Sequence, residues 1–284
     1  MELDPGTFLL QWAAGGLAFG WVTTRRREVS LGYGWLVRVV YGLMAAGAAA
    51  VLFADGHPLA GAAAGATAVA AGAALAVSVA RRAAGVSGRE AARAARRARV
   101  ATMVGRPVAA VDAGAHARGP EFPPALDLVA AAIGLAGMLA AAEFAGGPYV
   151  LAAARLLVGA AFLGAVSDAM LLGHWYLVQP GLPRDAVREL VQWTAVAWPF
   201  EVAVFLWPTG MYQVWTGTVD DGYDGILGWM WAVCALTTIG LVAMTWLALR
   251  ERFYSAVMAA TGLLYLAILT AFGVDLVARA VLAP

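Results

Sequence analysis

Lysine does not occur in this chain, cysteine occurs once, and charge of either sign is scarce. Only 13% of the 284 residues are charged, against about 25% in ordinary soluble domains. A bilayer imposes such a deficit, because a charged side chain at the centre of a membrane helix costs at least about 2.5 kcal/mol. The single thiol, Cys234, excludes an intramolecular disulfide and a cysteine-based zinc site. There are three histidines. His174 alone lies in a long apolar segment, so bis-histidine haem ligation between spans of this chain is excluded. No Walker loop, dinucleotide fingerprint, GxSxG, HExxH or CxxC occurs, and no resident cofactor, metal site or nucleic-acid partner is expected. All 19 basic residues are arginine and alanine is abundant. That composition fits a GC-rich prokaryotic genome, hence a prokaryotic plasma membrane. Glu2 and Asp4 stand where a cleavable signal would carry basic residues, so none is expected.

Apolar residues are what the chain has in quantity: 62% of it, with a mean hydropathy of +0.75. A span needs about 20 mostly apolar residues. Eight stretches qualify, at 7–24, 34–54, 57–80, 125–145, 149–178, 186–208, 226–250 and 254–281. Backbone polar groups must be paired within lipid, and no ten-residue unit alternates with period two, so helices are expected rather than a barrel. The expected fold is all-α, a polytopic integral membrane bundle of eight transmembrane helices. Its orientation follows from arginine. Loops 25–33, 81–123, 179–185 and 250–253, with their edges, hold 16 of the 19 arginines. The opposite loops hold none and carry Glu2, Asp4, Asp55, Asp220, Asp221 and Asp224 instead. Both termini are therefore expected outside.

The chain divides into three parts. Residues 1–80 give three Ala/Gly-rich spans, read as packing scaffold. Residues 81–124 form a cytoplasmic basic segment and linker, in which Arg89, Arg93, Arg96 and Arg97 share one helix face. Anionic lipids or an acidic partner would meet that face. Within the linker, Gly114-Ala-His116-Ala-Arg118 matches part of the signature of CDP-alcohol phosphotransferases. Ala113 stands where the acid belongs and the paired aspartates are missing, which excludes that metal-dependent chemistry. Residues 125–284 form a five-helix bundle rich in aromatics, with eight of the 11 tryptophans between Trp175 and Trp246.

Chemistry is expected in the last part. Arg155, Glu201 and Asp275 each lie about 9 Å below the outer boundary, at 1.5 Å per residue, so they can meet if their helices adjoin. Arg279 follows Asp275 at i+4 and can pair with it. Asp168 is deeper and has no basic residue at i±3 or i±4, which leaves Ser167 or Thr237-Thr238 as hydroxyl partners. Asp168, Glu201 and Asp275 are the proton- or ion-coupling candidates, with Arg155 as counter-charge. His174, Trp175, Tyr176 and Gln179 offer contacts to a quinone headgroup or a partner protein. Trp198-Pro199 predicts a kink in the sixth span. Two functions follow as expectations: a transporter-like, proton- or ion-coupled membrane protein, or an accessory, quinone-contacting subunit of a redox complex. A purely structural role is the third.

Overall fold

The computed structural model describes residues 4–87, 94, 119–179, 182–208, 210–251 and 253–283. The basic face of Arg89, Arg93, Arg96 and Arg97 lies outside the described residues. Eight long helices coincide with the eight apolar stretches to within a few residues, and the described residues contain no strand. They are α1 (Pro5–Thr24), α2 (Leu31–Ala54), α3 (Pro58–Ala80), α4 (Ala125–Ala141), α5 (Tyr149–Val178), α6 (Asp185–Leu206), α7 (Ile226–Ala248) and α8 (Tyr254–Val281).

Local signals set the ends. Asp4 caps α1 by accepting from Gly6 N (3.1 Å) and Thr7 N (2.6 Å), with Pro5 at the first helical position. Both features satisfy or remove amide donors that a helix start leaves unpaired. Between α2 and α3, Gly56 takes a φ of +82° and His57 N reaches back to Leu52 O at 2.8 Å. That closes a left-handed helix end, after which Pro58 starts α3.

Five helices (α2, α3, α5, α7 and α8) are long and apolar enough to cross a membrane. The other three fall short for identifiable reasons. Helix α4 has 17 residues, about 25 Å at 1.5 Å each, against a hydrocarbon core of about 30 Å. Helices α1 and α6 are long enough, but carry Thr7, Gln11, Thr23 and Thr24, or Asp185, Arg188, Glu189 and Glu201. A helix enclosed by other helices does not need a lipid-facing surface, and α1 is of this kind. It packs against α2, α4 and α5 and touches α6.

The centre of the molecule is the α1–α5 pair. In α5, 67% of the apolar stretch is buried, whereas α3 and α7 bury 28% and sit at the edge. Helix α5 in turn packs on α6 and α8, and α7 lies outside against α8. Small residues let the central pair meet at backbone distance. A methyl group on Gly15 would collide with the Ala160 carbonyl, and one on Gly164 would collide with the Gly15 backbone. Such small-residue crossings are how helices associate where no hydrophobic effect drives them together.

Polarity runs inside-out. Arg38, Asp127, Arg155, Asp168, Glu201, Asp275 and Arg279 are buried, while Leu43, Val69, Leu236 and Leu269 are about two-thirds exposed. The arginine-bearing loops gather at one end of the bundle. There Arg25 and Arg26 pair with Glu189, and Arg27 pairs with Glu121 at 2.8 Å. Glu121 also accepts from Ser87 N and Oγ, both at 3.2 Å, and its carbonyl accepts from Arg81 at 3.1 Å. Ser87 and Glu121 are thus tied to one another as a closed neck. At the opposite end, His57 stacks on Phe144 with ring centres 3.5 Å apart.

Candidate functional site

Two buried acid centres lie on the α1–α5 core. The first joins four helices. Gln11 of α1 donates through Nε2 to Asp275 Oδ2 of α8 at 2.7 Å. Arg279, one turn further along α8, donates through Nε to Asp275 Oδ1 and through Nη2 to Gln11 Oε1. Gly159 of α5 leaves the space this trio occupies, since a Cβ there would lie 2.9 Å from Asp275 Oδ2. Glu201 of α6 faces Asp275 and Arg279, its carboxyl group against that of Asp275. It is fully buried, and among the described residues no N–H or hydroxyl donates to either of its carboxyl oxygens, while Arg279 Nη1 lacks an acceptor.

The sequence therefore places Glu201 and Asp275 in one cluster, as their equal depth predicts, and the i,i+4 pair of Asp275 and Arg279 forms. Arg155 lies within electrostatic range of Arg279 and also reaches α6. Its Nε donates to Val204 O of α6 at 2.9 Å, and its guanidinium lies 5.5 Å from the centre of the Phe205 ring. Residue 208 is proline, so the usual donor to the Val204 carbonyl four residues on does not exist. Arg155 supplies that donor from the neighbouring helix, close to the negative end of the α6 dipole.

The second centre is Asp168, nine residues further along α5 than Gly159, or about 14 Å. Its Oδ1 accepts from Tyr41 Oη of α2 at 2.7 Å, and its carbonyl accepts from Tyr33 Oη at 3.4 Å. Oδ2 is buried with no partner among the described residues. It points toward Gly20, where an added Cβ would stand 3.7 Å away. The hydroxyl partners expected from the sequence are engaged elsewhere. Ser167 Oγ accepts from Trp12 Nε1 at 2.8 Å, and Thr238 Oγ1 donates to Thr270 Oγ1 at 2.7 Å.

The quinone candidates do not all converge: Trp175 and Gln179 meet at Ser30, while His174 and Tyr176 lie apart. His174 is exposed and meets the edge of Tyr265 at 6.2 Å. Trp175 Nε1 donates to Ser30 Oγ at 3.1 Å, and Gln179 Oε1 accepts from Ser30 N at 3.1 Å. Tyr176 is buried and donates to the Pro183 carbonyl. Three of the four thus fasten the end of α5 to adjoining segments, Trp175 and Gln179 (i,i+4) at Ser30 and Tyr176 at Pro183, which leaves His174 apart.

Sequence reasoning missed a third buried group. Arg38 of α2 grips Asp127 of α4 in a two-pronged pair, Nε to Oδ1 at 2.7 Å and Nη2 to Oδ2 at 2.8 Å. Thr24 adds a bond at 3.2 Å, and the guanidinium stacks 4.2 Å from the centre of Phe122. An arginine inside an apolar run was the available signal. Tyr41 and Gln11 gave less, since each is unremarkable in a hydropathy profile. Helix α1 and helix α2 therefore do more than fill space: they complete the acid centres.

Among the described residues no three His, Cys, Asp or Glu side chains gather into a metal-holding group. In the loop before α7, Asp221 accepts from Tyr223 N (3.0 Å), Gly225 N (2.8 Å) and Leu227 N (2.9 Å), so its carboxylate caps the helix. Partial desolvation pushes this carboxyl up, but the amides of Gly225, Tyr223, Leu227 and Gly228 outweigh it and hold it below its usual value. A carboxyl lowered on folding stabilises above its unfolded pKa and loses that contribution as pH falls through the folded one. Asp221→Asn should therefore lower thermal stability at pH 7, and the gap should close in acid once the parent's Asp221 is protonated too. An equal gap at neutral and acid pH would show that the charge is not what matters.

Comparison with protein families, with characterised proteins and with solved structures finds no match. The class therefore rests on the chain itself. Five apolar helices of spanning length make it a multi-pass membrane protein, all-helical in its described residues.

Proposed function

We propose that this protein is a proton-coupled, transporter-like membrane protein whose eight helices all cross the bilayer, with both termini on the side opposite the arginine-rich end. The observation that carries the reading is Glu201, a fully buried carboxyl facing Asp275 and Arg279 with no donor for either oxygen. Arg279 is already committed to Asp275 and Gln11. An ionised Glu201 would be a second buried negative charge beside a neutralised pair, which costs several kcal/mol. In this arrangement Glu201 carries a proton, and a shift of α6 that opens it to water releases one. Asp168 offers a second proton site about 14 Å further along α5. Buried ionisable groups of this kind mark ion and proton pathways in membrane proteins.

The test is proton flux into proteoliposomes holding a pH-sensitive dye, driven by a potassium diffusion potential. Glu201→Gln preserves shape and mimics the permanently protonated form, so flux should fall at least tenfold while the protein stays folded. Asp168→Asn combined with it should abolish flux. Parent-level flux in the double variant sinks the proposal. The redox-subunit reading is less well supported, because Trp175, Tyr176 and Gln179 are engaged in fastening α5 and leave only His174 on an open face.

A further inference from the structure

The bundle carries a groove that neither acid centre uses. Helix α6 and helix α7 are tied together at two levels. Trp198 Nε1 donates to Ala235 O at 2.9 Å, and Arg188 Nη2 donates to Leu249 O at 2.6 Å. Between these ties the two helices stand apart and leave a cleft of about 1060 Å³, open along one side. That volume is at the upper end of sites that hold a small amphiphilic molecule. Its body is apolar (Val191, Val196, Ile239 and Val242), with Trp193 and Trp246 on its walls, and its mouth carries Arg26, Arg188, Asp185 and Glu189.

Dimensions and charge identify the occupant. On α6 the lining runs from Asp185 to Val196, about 17 Å at 1.5 Å per residue. This is about half the 30 Å hydrocarbon core, the depth of one leaflet. The polar mouth lies at the arginine-rich end and the blind apolar end lies near the bilayer middle. Glu189 is shared by Arg25 and Arg26, and Arg188 stands 3.9 Å from a largely exposed Asp185. Two guanidinium groups (Arg26 and Arg188) and two carboxylates line the mouth, and Arg25 beside it shares Glu189, so three arginines surround two acids and leave one positive charge in excess at the level of lipid phosphates. Arginine suits phosphate because its planar fork matches the oxygens. We infer that this groove is a binding site for one anionic phospholipid of the arginine-rich leaflet, its phosphate held by Arg26 and Arg188 and an acyl chain lying between Trp193 and Trp246.

The site is tested on the full chain, reconstituted in vesicles of equal parts phosphatidylglycerol and phosphatidylcholine, extracted in mild detergent and weighed by native mass spectrometry. The parent protein should retain one phosphatidylglycerol per chain. Ala243→Phe, at an exposed position in the groove wall, should reduce retention at least tenfold by filling the space. Arg26→Gln with Arg188→Gln should remove the preference for the anionic headgroup, and provides a second readout should the filling variant not fold. Retention of phosphatidylcholine as readily as phosphatidylglycerol by the parent overturns the inference. So does unchanged phosphatidylglycerol retention in a folded Ala243→Phe.

Discussion

Arg279→Met should lower the stability of the detergent-purified protein by about 3–5 kcal/mol, the cost of leaving a buried partner charge uncompensated. Arg279 and Asp275 are both fully buried, and Arg279 also holds Gln11. Removing the guanidinium strands two polar groups of that trio and leaves Glu201 beside an unneutralised Asp275. The decisive comparison is a triple variant with Gln11→Leu, Asp275→Leu and Arg279→Met. Replacing a whole buried ionic network by apolar groups is often neutral or stabilising, so the triple variant should recover most of the lost stability. If the trio serves proton coupling, the recovered protein will still carry no flux. A single variant as stable as the parent in denaturant titration would mean that water reaches the cluster and screens it.

The second large effect is steric. Gly164→Leu should prevent the central pair from closing, because even a Cβ at this position meets the Gly15 backbone rather than a movable side chain. Overpacking ordinarily costs about 1–3 kcal/mol, and a backbone obstacle places this case at or above the top of that range. Gly164→Ala should already be destabilising, while alanine at Gly72, which has nothing within 4 Å of the added carbon, should be tolerated. Thermal unfolding followed by size-exclusion chromatography distinguishes the positions. Equal melting temperatures for the Gly164 and Gly72 alanine variants would mean that α1 and α5 do not cross as closely as described.

Hydropathy made the eight helices legible because the demand for an apolar stretch of a given length is local to each stretch. It also conveyed depth, which is why Glu201 and Asp275 could be paired without knowing the packing. Which helix faces which is a different kind of information. Asp168 takes its hydroxyl from Tyr41 on α2 rather than from Ser167 or Thr238, and Gln11 completes the Asp275 site from α1. No spacing rule links residues 127 or 264 positions apart. Arg155 shows a related limit, since hydropathy gave its depth and not the carbonyl that it meets. A carbonyl deprived of its donor by Pro208 was as strong a claim on the guanidinium as the acids were. His174, Trp175, Tyr176 and Gln179 sit close in sequence, but Trp175 and Gln179 meet at Ser30, Tyr176 at Pro183, and His174 stays exposed.

The neck at Ser87 and Glu121 also joins the two ends of a 33-residue stretch of chain. Because the bundle itself holds both ends together, lengthening the stretch between them adds only a slowly growing chain-entropy cost. A soluble reporter spliced between them would be carried by an already closed clasp, giving a handle on the arginine-rich side that leaves the helix packing untouched.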